Sequence, residues 1–167
     1  MRQTHELFIS RPASGVLMNW WDELDENRGD RAVLRRCRNT TEVVFSPAFH
    51  RLRLKLSKTG DFNSESLALI AGILSHVKTH DGSANFATQM ATPKTEGSNA
   101  RVSGLRFRRL LKIKDIDELF GSIIRIVNLL DGNLNIYSLA YDLYWWNDER
   151  TKKRWAYNYY ENAPNEK

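Results

Sequence analysis

The sequence predicts an all-α protein in which two small packed helical domains are joined by a polar loop. Apolar residues recur at helical spacing in most segments, and the 167 residues include only nine glycines and four prolines. A stretch at 81–104, rich in glycine, serine, threonine and asparagine, separates the predicted domains at 1–80 and 105–167. Hydrophobic residues make up 41% of the chain, which is enough to form a core and excludes global disorder.

The N-terminal domain is predicted to begin with two helices. The first starts after Pro12, with Ser14 as its N-cap, because a serine side chain can accept a hydrogen bond from the first turn. The Asn-Arg-Gly stretch at 27–29 ends this helix. Asp30 is then expected to cap a second helix over 30–38.

The stretch RLRLKL at 51–56 alternates as a strand would, yet a helix fits its surroundings better. Apolar residues recur every three or four positions from Phe49 to Leu56. Ser46 and Pro47 supply a cap and a proline in the first helical turn. We therefore predict a helix here.

Helices are also predicted on both sides of the polar loop. The loop itself is long for a connection inside a compact domain, so it is either a functional loop or a domain boundary. No strand and no internal repeat is predicted. The remaining predicted helices are 64–80, 105–112, 116–130 with Asp115 as its cap, 133–146 and 148–160.

Positive charge is concentrated in two short windows. Residues 28–58 contain nine lysines and arginines against two acids, and residues 101–114 contain six and no acid, whereas the whole chain carries a net charge of +5. So uneven a distribution indicates a local site for a polyanion, with a phosphate backbone as the first partner to consider.

In the second predicted helix, Arg31, Arg35 and Arg38 are spaced to stack on one face, with Arg36 off that stripe. Guanidinium groups in a row suit a run of phosphates. The alternative is a solvated face, or pairing with the acidic tract at 115–149, which holds seven acids and one base. Residue types alone leave both interpretations open.

The second window is expected to form a helix that buries its leucines and presents Arg108, Arg109 and Lys112. Phe107 lies among these bases, where it either stacks on a nucleobase or, as is more common at helical spacing, belongs to the core.

The C-terminal segment also interleaves bases with aromatic residues, a pattern found in single-strand binding proteins. Its tryptophans can equally close a core. The candidate nucleic-acid-binding residues from all three regions are Arg31, Arg35, Arg36, Arg38, Arg51, Arg108, Arg109, Lys112, Lys152, Lys153 and Arg154.

No catalytic constellation competes with these clusters. The sequence has no Walker loop and no GxGxxG motif, and we expect neither enzyme activity nor a cofactor. His76 and His80 are four apart on a predicted helix, but no further ligand cluster accompanies them, so no metal site is predicted. Cys37 lies among arginines that would lower the pKa of its thiol.

Composition also bears on the cellular compartment. A single cysteine cannot form an internal disulfide, which fits a reducing environment. No apolar run reaches the length of a membrane span, and the N-terminus lacks the pattern of a signal peptide. We therefore expect a cytoplasmic protein.

Five landmarks occur in a familiar order and resemble the CasB family, the small subunit of the type I-E CRISPR surveillance complex called Cascade. Each is weak alone, but together they span nearly the whole chain. They are the tryptophan pair Trp20–Trp21, GDRAVLRRCRN at 29–39, SPAFHRL at 46–52, SGLRFRRLL at 103–111, and YWW with the basic stretch after it at 144–154.

The resemblance implies an all-helical, non-catalytic protein with two small domains. Such a subunit associates with a neighbouring copy and with other Cascade subunits. It helps to hold the guide RNA, its heteroduplex with target DNA and the displaced DNA strand through backbone charge. Family arginines correspond to Arg35 and Arg36, and the base in the 103–111 landmark to Arg108.

Two alternatives stay open at this stage. One is an independent helical regulator that reads base edges with a recognition helix. The other is a structural scaffold whose basic and acidic faces pair between copies without nucleic acid.

Overall fold

The computed structural model describes residues 11–164, which form ten helices and two very short strands, so the all-α prediction is confirmed. The chain divides into two compact units between His76 and Val77. The elements of the first unit are α1 (Arg11–Glu26), α2 (Arg28–Arg36), α3 (Thr40–Val44), α4 (Pro47–Ser57) and α5 (Ser64–Leu74). Those of the second are β1 (Thr79–His80), α6 (Phe86–Ala91), α7 (Gly104–Leu111), α8 (Ile116–Leu129), β2 (Asn133–Leu134), α9 (Ile136–Tyr144) and α10 (Glu149–Asn162).

The core of the first unit surrounds α5, in which every residue from Leu67 to Leu74 is buried. A helix with apolar residues on every face is stable only when other parts of the protein pack against every face. The indole N–H of Trp20 on α1 donates a buried 2.9 Å hydrogen bond to the carbonyl oxygen of Ala48 on α4. This bond satisfies the polar atom of a large core side chain and ties the first helix to the fourth.

The starts of the first two helices differ from the prediction. Ser14 lies inside α1, so it is not the N-cap. Likewise α2 already includes Gly29, with Asn27 at its N-cap position. Asp30 is therefore in the first turn of α2, where its carboxylate accepts a hydrogen bond from the guanidinium of Arg51. The first turn favours a carboxylate because its free N–H groups carry partial positive charge.

The RLRLKL stretch is helical, as predicted, and lies within α4. Pro47 occupies the first turn and Ser46 the N-cap position, but the side chain of Ser46 makes no capping bond. Its buried Oγ has no hydrogen-bond partner among residues 11–164. Pro47 therefore marks this helix start more than the serine hydroxyl does.

The helix predicted over 64–80 ends at Leu74, and the expectation of no strand is wrong for the residues after it. β1 lies parallel to β2, with Thr79 opposite Asn133. The backbone N–H of Thr79 donates to the carbonyl oxygen of Gly132 at 3.1 Å. The partner strand is far away in sequence, so local periodicity could not reveal the pairing.

The polar stretch at 81–104 lies within the second compact unit. It contains α6, whose Phe86 is fully buried with its ring centroid 5.4 Å from that of Trp155 on α10. The backbone N–H of Val102 donates to the carbonyl oxygen of Met90 at 2.9 Å. The helical spacing of the apolar residues in α6 was not recognised in the sequence because small polar residues surround this short segment.

Aromatic side chains from α7 and α10 dominate the rest of this second core. The rings of Phe107 and Tyr159 stack with centroids 4.0 Å apart, and the hydroxyl of Tyr159 donates to the carbonyl oxygen of Val102 at 2.5 Å. Trp146 and Trp155 meet edge to face at 5.0 Å. No helix within residues 11–164 has the length and apolar character needed to cross a membrane.

Candidate nucleic-acid interface

One face of α2 carries a row of arginines. Arg28, Arg31 and Arg35 follow one another at i, i+3 and i+7, so they lie on the same side of the helix. Together with Arg36 they form what we call the α2 basic surface. A shallow groove on this surface is lined by Asp25, Arg28, Arg31, Ala32, Arg35 and Arg36.

Arg35 is exposed, yet its side chain is anchored at one atom. Its Nε donates a 2.8 Å hydrogen bond to the carbonyl oxygen of Ser75, the buried residue that caps the C-terminus of α5. A guanidinium has five N–H donors, so four remain for a ligand. Anchoring the side chain reduces the rotamer entropy that binding would otherwise cost.

His76 follows that anchor and shares its surroundings. Burial lowers the pKa of its imidazole, and the positive charge of Arg35 lowers the same pKa further. The buried Nε2 has no hydrogen-bond partner among residues 11–164. His76 is therefore neutral near neutral pH and adds no charge to the α2 basic surface.

Two of the arginines predicted to bind phosphate already form ion pairs with carboxylates of the protein itself. Arg31 forms an ion pair with Asp25, and its side chain is only 13% exposed. Arg51 forms an ion pair with Asp30, where both side chains are partly exposed. These two arginines are thus paired within the protein, but with acids outside the 115–149 tract that the sequence analysis considered.

The predicted stack of Arg31, Arg35 and Arg38 is not formed. The helix ends at Arg36, because Cys37 adopts an extended conformation with φ −63° and ψ 134°. Arg38 is exposed beyond the helix, and its backbone N–H donates to the carboxylate of Glu42 at 2.7 Å. Its place on the stripe is taken by a residue that the prediction missed, two positions before the expected helix start.

That residue is Arg28, whose spacing to Arg31 and Arg35 was present in the sequence. Treating 27–29 as a helix break concealed the spacing. The chain instead passes from α1 into α2 with only Asn27 between them.

The cysteine among these arginines is not activated. Cys37 is buried, and its Sγ donates to the carbonyl oxygen of Val33 at 3.3 Å. Burial raises the pKa of the Cys37 thiol, and the nearby carboxylate of Glu42 raises it further. The lowered pKa considered from the sequence is therefore not found, because burial and a close carboxylate both raise the pKa of this thiol.

A second basic surface, which we call the α7 basic surface, consists of Arg106, Arg108, Arg109 and Lys112, all exposed. Ser103 caps α7 by accepting from the backbone N–H of Arg106. Since Phe107 is fully buried against Tyr159, it belongs to the core and does not stack on a nucleobase.

The C-terminal bases differ in what they contact. Arg154 forms an ion pair with buried Asp142, which also accepts from the indole N–H of Trp155 at 2.6 Å. Burial raises the pKa of Asp142, while those hydrogen bonds and the charge of Arg154 oppose the rise. The ammonium of Lys152 lies 5.1 Å from the ring centre of Trp146, whereas Lys153 is exposed.

The two histidines do not share a helix face. His76 follows the end of α5, and His80 lies in β1, where its Nδ1 accepts from the backbone N–H of Ile136 at 3.1 Å. Over residues 11–164, no group of three or more His, Cys, Asp or Glu side chains is placed to hold a metal ion.

The features so far define a class: an all-helical protein with two arginine-rich surfaces suited to a polyanion. Residues 30–160 match the family model of the CRISPR-associated protein Cse2. The chain belongs to this family, and the resemblance to the CasB small subunit is confirmed.

Comparison with solved structures agrees on the fold. The chain is similar to one in the crystal structure of E. coli Cascade bound to a PAM-containing double-stranded DNA target, with a TM-score of 0.68. The two are 20% identical, and the match covers 86% of this chain and 91% of that chain. No curated protein matches the sequence.

Proposed function

We propose that the chain is the non-catalytic small subunit of a Cascade-type surveillance complex and acts in the cytoplasm in antiviral defence. It holds guide RNA and target DNA by their phosphate backbones and stabilises the displaced strand. Membership of the Cse2 family supports this role. A chain of the same fold occurs in E. coli Cascade bound to double-stranded DNA.

The observation that carries the proposal is the α2 basic surface, with Arg35 anchored on the carbonyl of Ser75. Exposed arginines that make no ion pair within residues 11–164 can each take a phosphate without losing an internal partner. Arg35, Arg36 and Arg109 meet this condition. They are the strongest candidates, and Arg28 joins Arg35 and Arg36 on α2.

The other predicted residues contribute less. Arg31, Arg51 and Arg154 would have to exchange a carboxylate for a phosphate. Exposed bases outside the ion pairs, Arg38 and Lys153 among them, add long-range attraction. The same secondary role falls to Arg108, Lys112 and Lys152.

Contacts of this kind add affinity without reading bases. Pairing a guide RNA with its target replaces a DNA duplex by an RNA–DNA heteroduplex of similar stability. A modest free energy of binding to the phosphate backbone is therefore enough to favour the open state. No step of this mechanism requires a chemical reaction by the subunit.

The test is fluorescence anisotropy with labelled single-stranded DNA, RNA and duplexes of unrelated sequence across a range of salt. If about four phosphates are neutralised, log K against log salt should have a slope of roughly −3 for single strands. The triple variant Arg35→Glu, Arg108→Glu, Arg109→Glu should weaken binding to every sequence alike. A slope near zero, or preference for one sequence, would contradict backbone recognition.

A further inference from the structure

A groove of about 550 Å³ runs between α7 and α8 within the second unit. On α8 the lining residues Glu118, Ser122, Arg125 and Leu129 recur at i, i+4, i+7 and i+11, so one face of that helix forms one wall. The groove is lined by Arg106, Arg109, Leu110, Ile113, Glu118, Ser122, Arg125, Ile126, Asn128 and Leu129.

The floor of this α7–α8 groove is aliphatic, while its rim is basic. Leu110 and Ile126 are nearly buried at its base, and Leu129 remains 37% exposed. Leu105 lies one turn before Arg109 on α7 and is 51% exposed, which extends the apolar surface along that helix. Such exposed apolar surface beside a polar rim is characteristic of an interaction site.

The lining argues against nucleic acid as the occupant. No aromatic side chain lines the groove, whereas single-strand sites stack bases on aromatic rings. By contrast, the groove of the α2 basic surface has no aliphatic lining residue larger than Ala32. The α7–α8 groove therefore suits a different ligand below its rim, while Arg109 on the rim also belongs to the α7 basic surface.

The rim charges identify the chemistry of the partner. Arg106 and Arg109 are exposed on one wall and Arg125 on the other, against the single acid Glu118. Neither Arg106 nor Arg109 makes an ion pair within residues 11–164. Carboxylates on a partner would complement this rim while an aliphatic side chain covers the floor.

We propose that the α7–α8 groove docks a segment of another protein, an amphipathic helix whose leucine-type anchors are flanked by glutamates or aspartates. Helices with one apolar face bind grooves of this kind through anchors at helical spacing. The inference rests on the proposed function only in its expectation that the segment belongs to another protein of the same complex.

The first experiment uses the full chain and a labelled synthetic helix with leucines on one face and glutamates beside them. Reversal of the rim charge that lies outside the α7 basic surface, Arg125→Glu, should weaken binding of this peptide about fivefold. Replacing the peptide's leucines by alanine should abolish binding. The matched control reverses one exposed lysine outside the groove, Lys114→Glu, and should have little effect.

Nucleic-acid affinity measured on the same variants separates this inference from the proposed function. The rim variant should lose no more nucleic-acid affinity than the lysine control. A larger loss would mean that the groove serves nucleic acid and would overturn the inference. An intact peptide site together with nucleic-acid binding that ignores the α2 basic surface would instead overturn the proposed function.

The partner itself is then identified by cross-linking. A photoreactive benzoylphenylalanine at Ser122, within the groove, is introduced while the chain is co-expressed with the proteins of its own complex. An adduct on an acidic, leucine-rich protein segment is the expected result. An adduct on nucleic acid, no adduct, or no binding of the synthetic helix would each refute the groove's assigned role.

Discussion

The Nε of Arg35 bonds to the carbonyl oxygen of Ser75, 40 residues further along the chain, at 2.8 Å. Ser75 is fully buried and ends the helix around which the first unit packs. The carbonyl groups at a helix C-terminus carry partial negative charge, which suits a guanidinium donor. A candidate phosphate-binding side chain is thus anchored on the buried end of the central helix of its unit.

This anchor predicts that charge alone will not replace Arg35. Lysine keeps the positive charge, but its three donors share one nitrogen. It therefore cannot bond the Ser75 carbonyl through one nitrogen while offering two others to a phosphate, as arginine can. Arg35→Lys should therefore weaken nucleic-acid binding several-fold, about 1 kcal/mol for one lost hydrogen bond. The control is Arg36→Lys, which breaks no such bond. Equal losses in anisotropy titrations of both variants would show that the anchor is unimportant.

His76 predicts how stability responds to acid. Its pKa is lowered in the folded protein by burial and by Arg35, so below about pH 6.5 the unfolded state binds more protons than the folded state. Stability should fall as the pH drops through that value. His76→Gln should remove this part of the decline in urea denaturation measured across pH. Parallel curves for the two proteins would refute the assignment.

Asp142 is expected to be the most sensitive polar position of the second unit. Asp142→Ala would leave the buried indole N–H of Trp155 without its acceptor and Arg154 without its carboxylate. We expect a loss of about 3 kcal/mol in the free energy of unfolding. Asp142→Asn keeps an acceptor oxygen and should cost less. Chemical denaturation of both variants would show the difference, and equal losses would mean that the hydrogen bond to Trp155 adds nothing.

Helix caps provide a matched pair of substitutions. Asp115 accepts a 2.9 Å hydrogen bond from the backbone N–H of Glu118 at the start of α8, so Asp115→Ala should cost about 1 kcal/mol. Ser46 occupies the equivalent position before α4 without such a bond, and its buried hydroxyl has no partner among residues 11–164. Ser46→Ala should be neutral or slightly stabilising. The comparison fails if the two variants lose equal stability in thermal melts.

Local signals in the sequence were sufficient where the structure depends on local contacts. The Asp115 cap, α8 and the helical state of the RLRLKL stretch follow from side-chain chemistry and from spacing within a few residues. The pairing of β1 with β2 does not, because it joins residues 54 apart. The local periodicity of apolar residues carries no information about contacts between such distant positions.

The arginines of the candidate nucleic-acid interface also show that local sequence signals are not sufficient. The arginines of α2 were recognised as a cluster, but which of them share a face depends on where the helix starts and stops. Because the helix starts at Arg28 and ends at Arg36, Arg28 lies on the basic face of α2 and Arg38 does not. Ion pairing of Arg31 and Arg154 depends on acids 6 and 12 residues away in sequence, whose approach is set by packing.

The parallel bridge between β1 and β2 also has a kinetic consequence. Each helix of the second unit can form its own backbone hydrogen bonds between near neighbours, whereas the bond from Thr79 to Asn133 spans 54 residues. Bringing such distant positions together costs loop entropy before any contact is gained. Residues at the start of the second unit should therefore become ordered last as the chain folds. Their amides, including that of Asp81, which donates to the carbonyl of Leu134, should gain protection later than those of α8 in pulse-labelled hydrogen exchange.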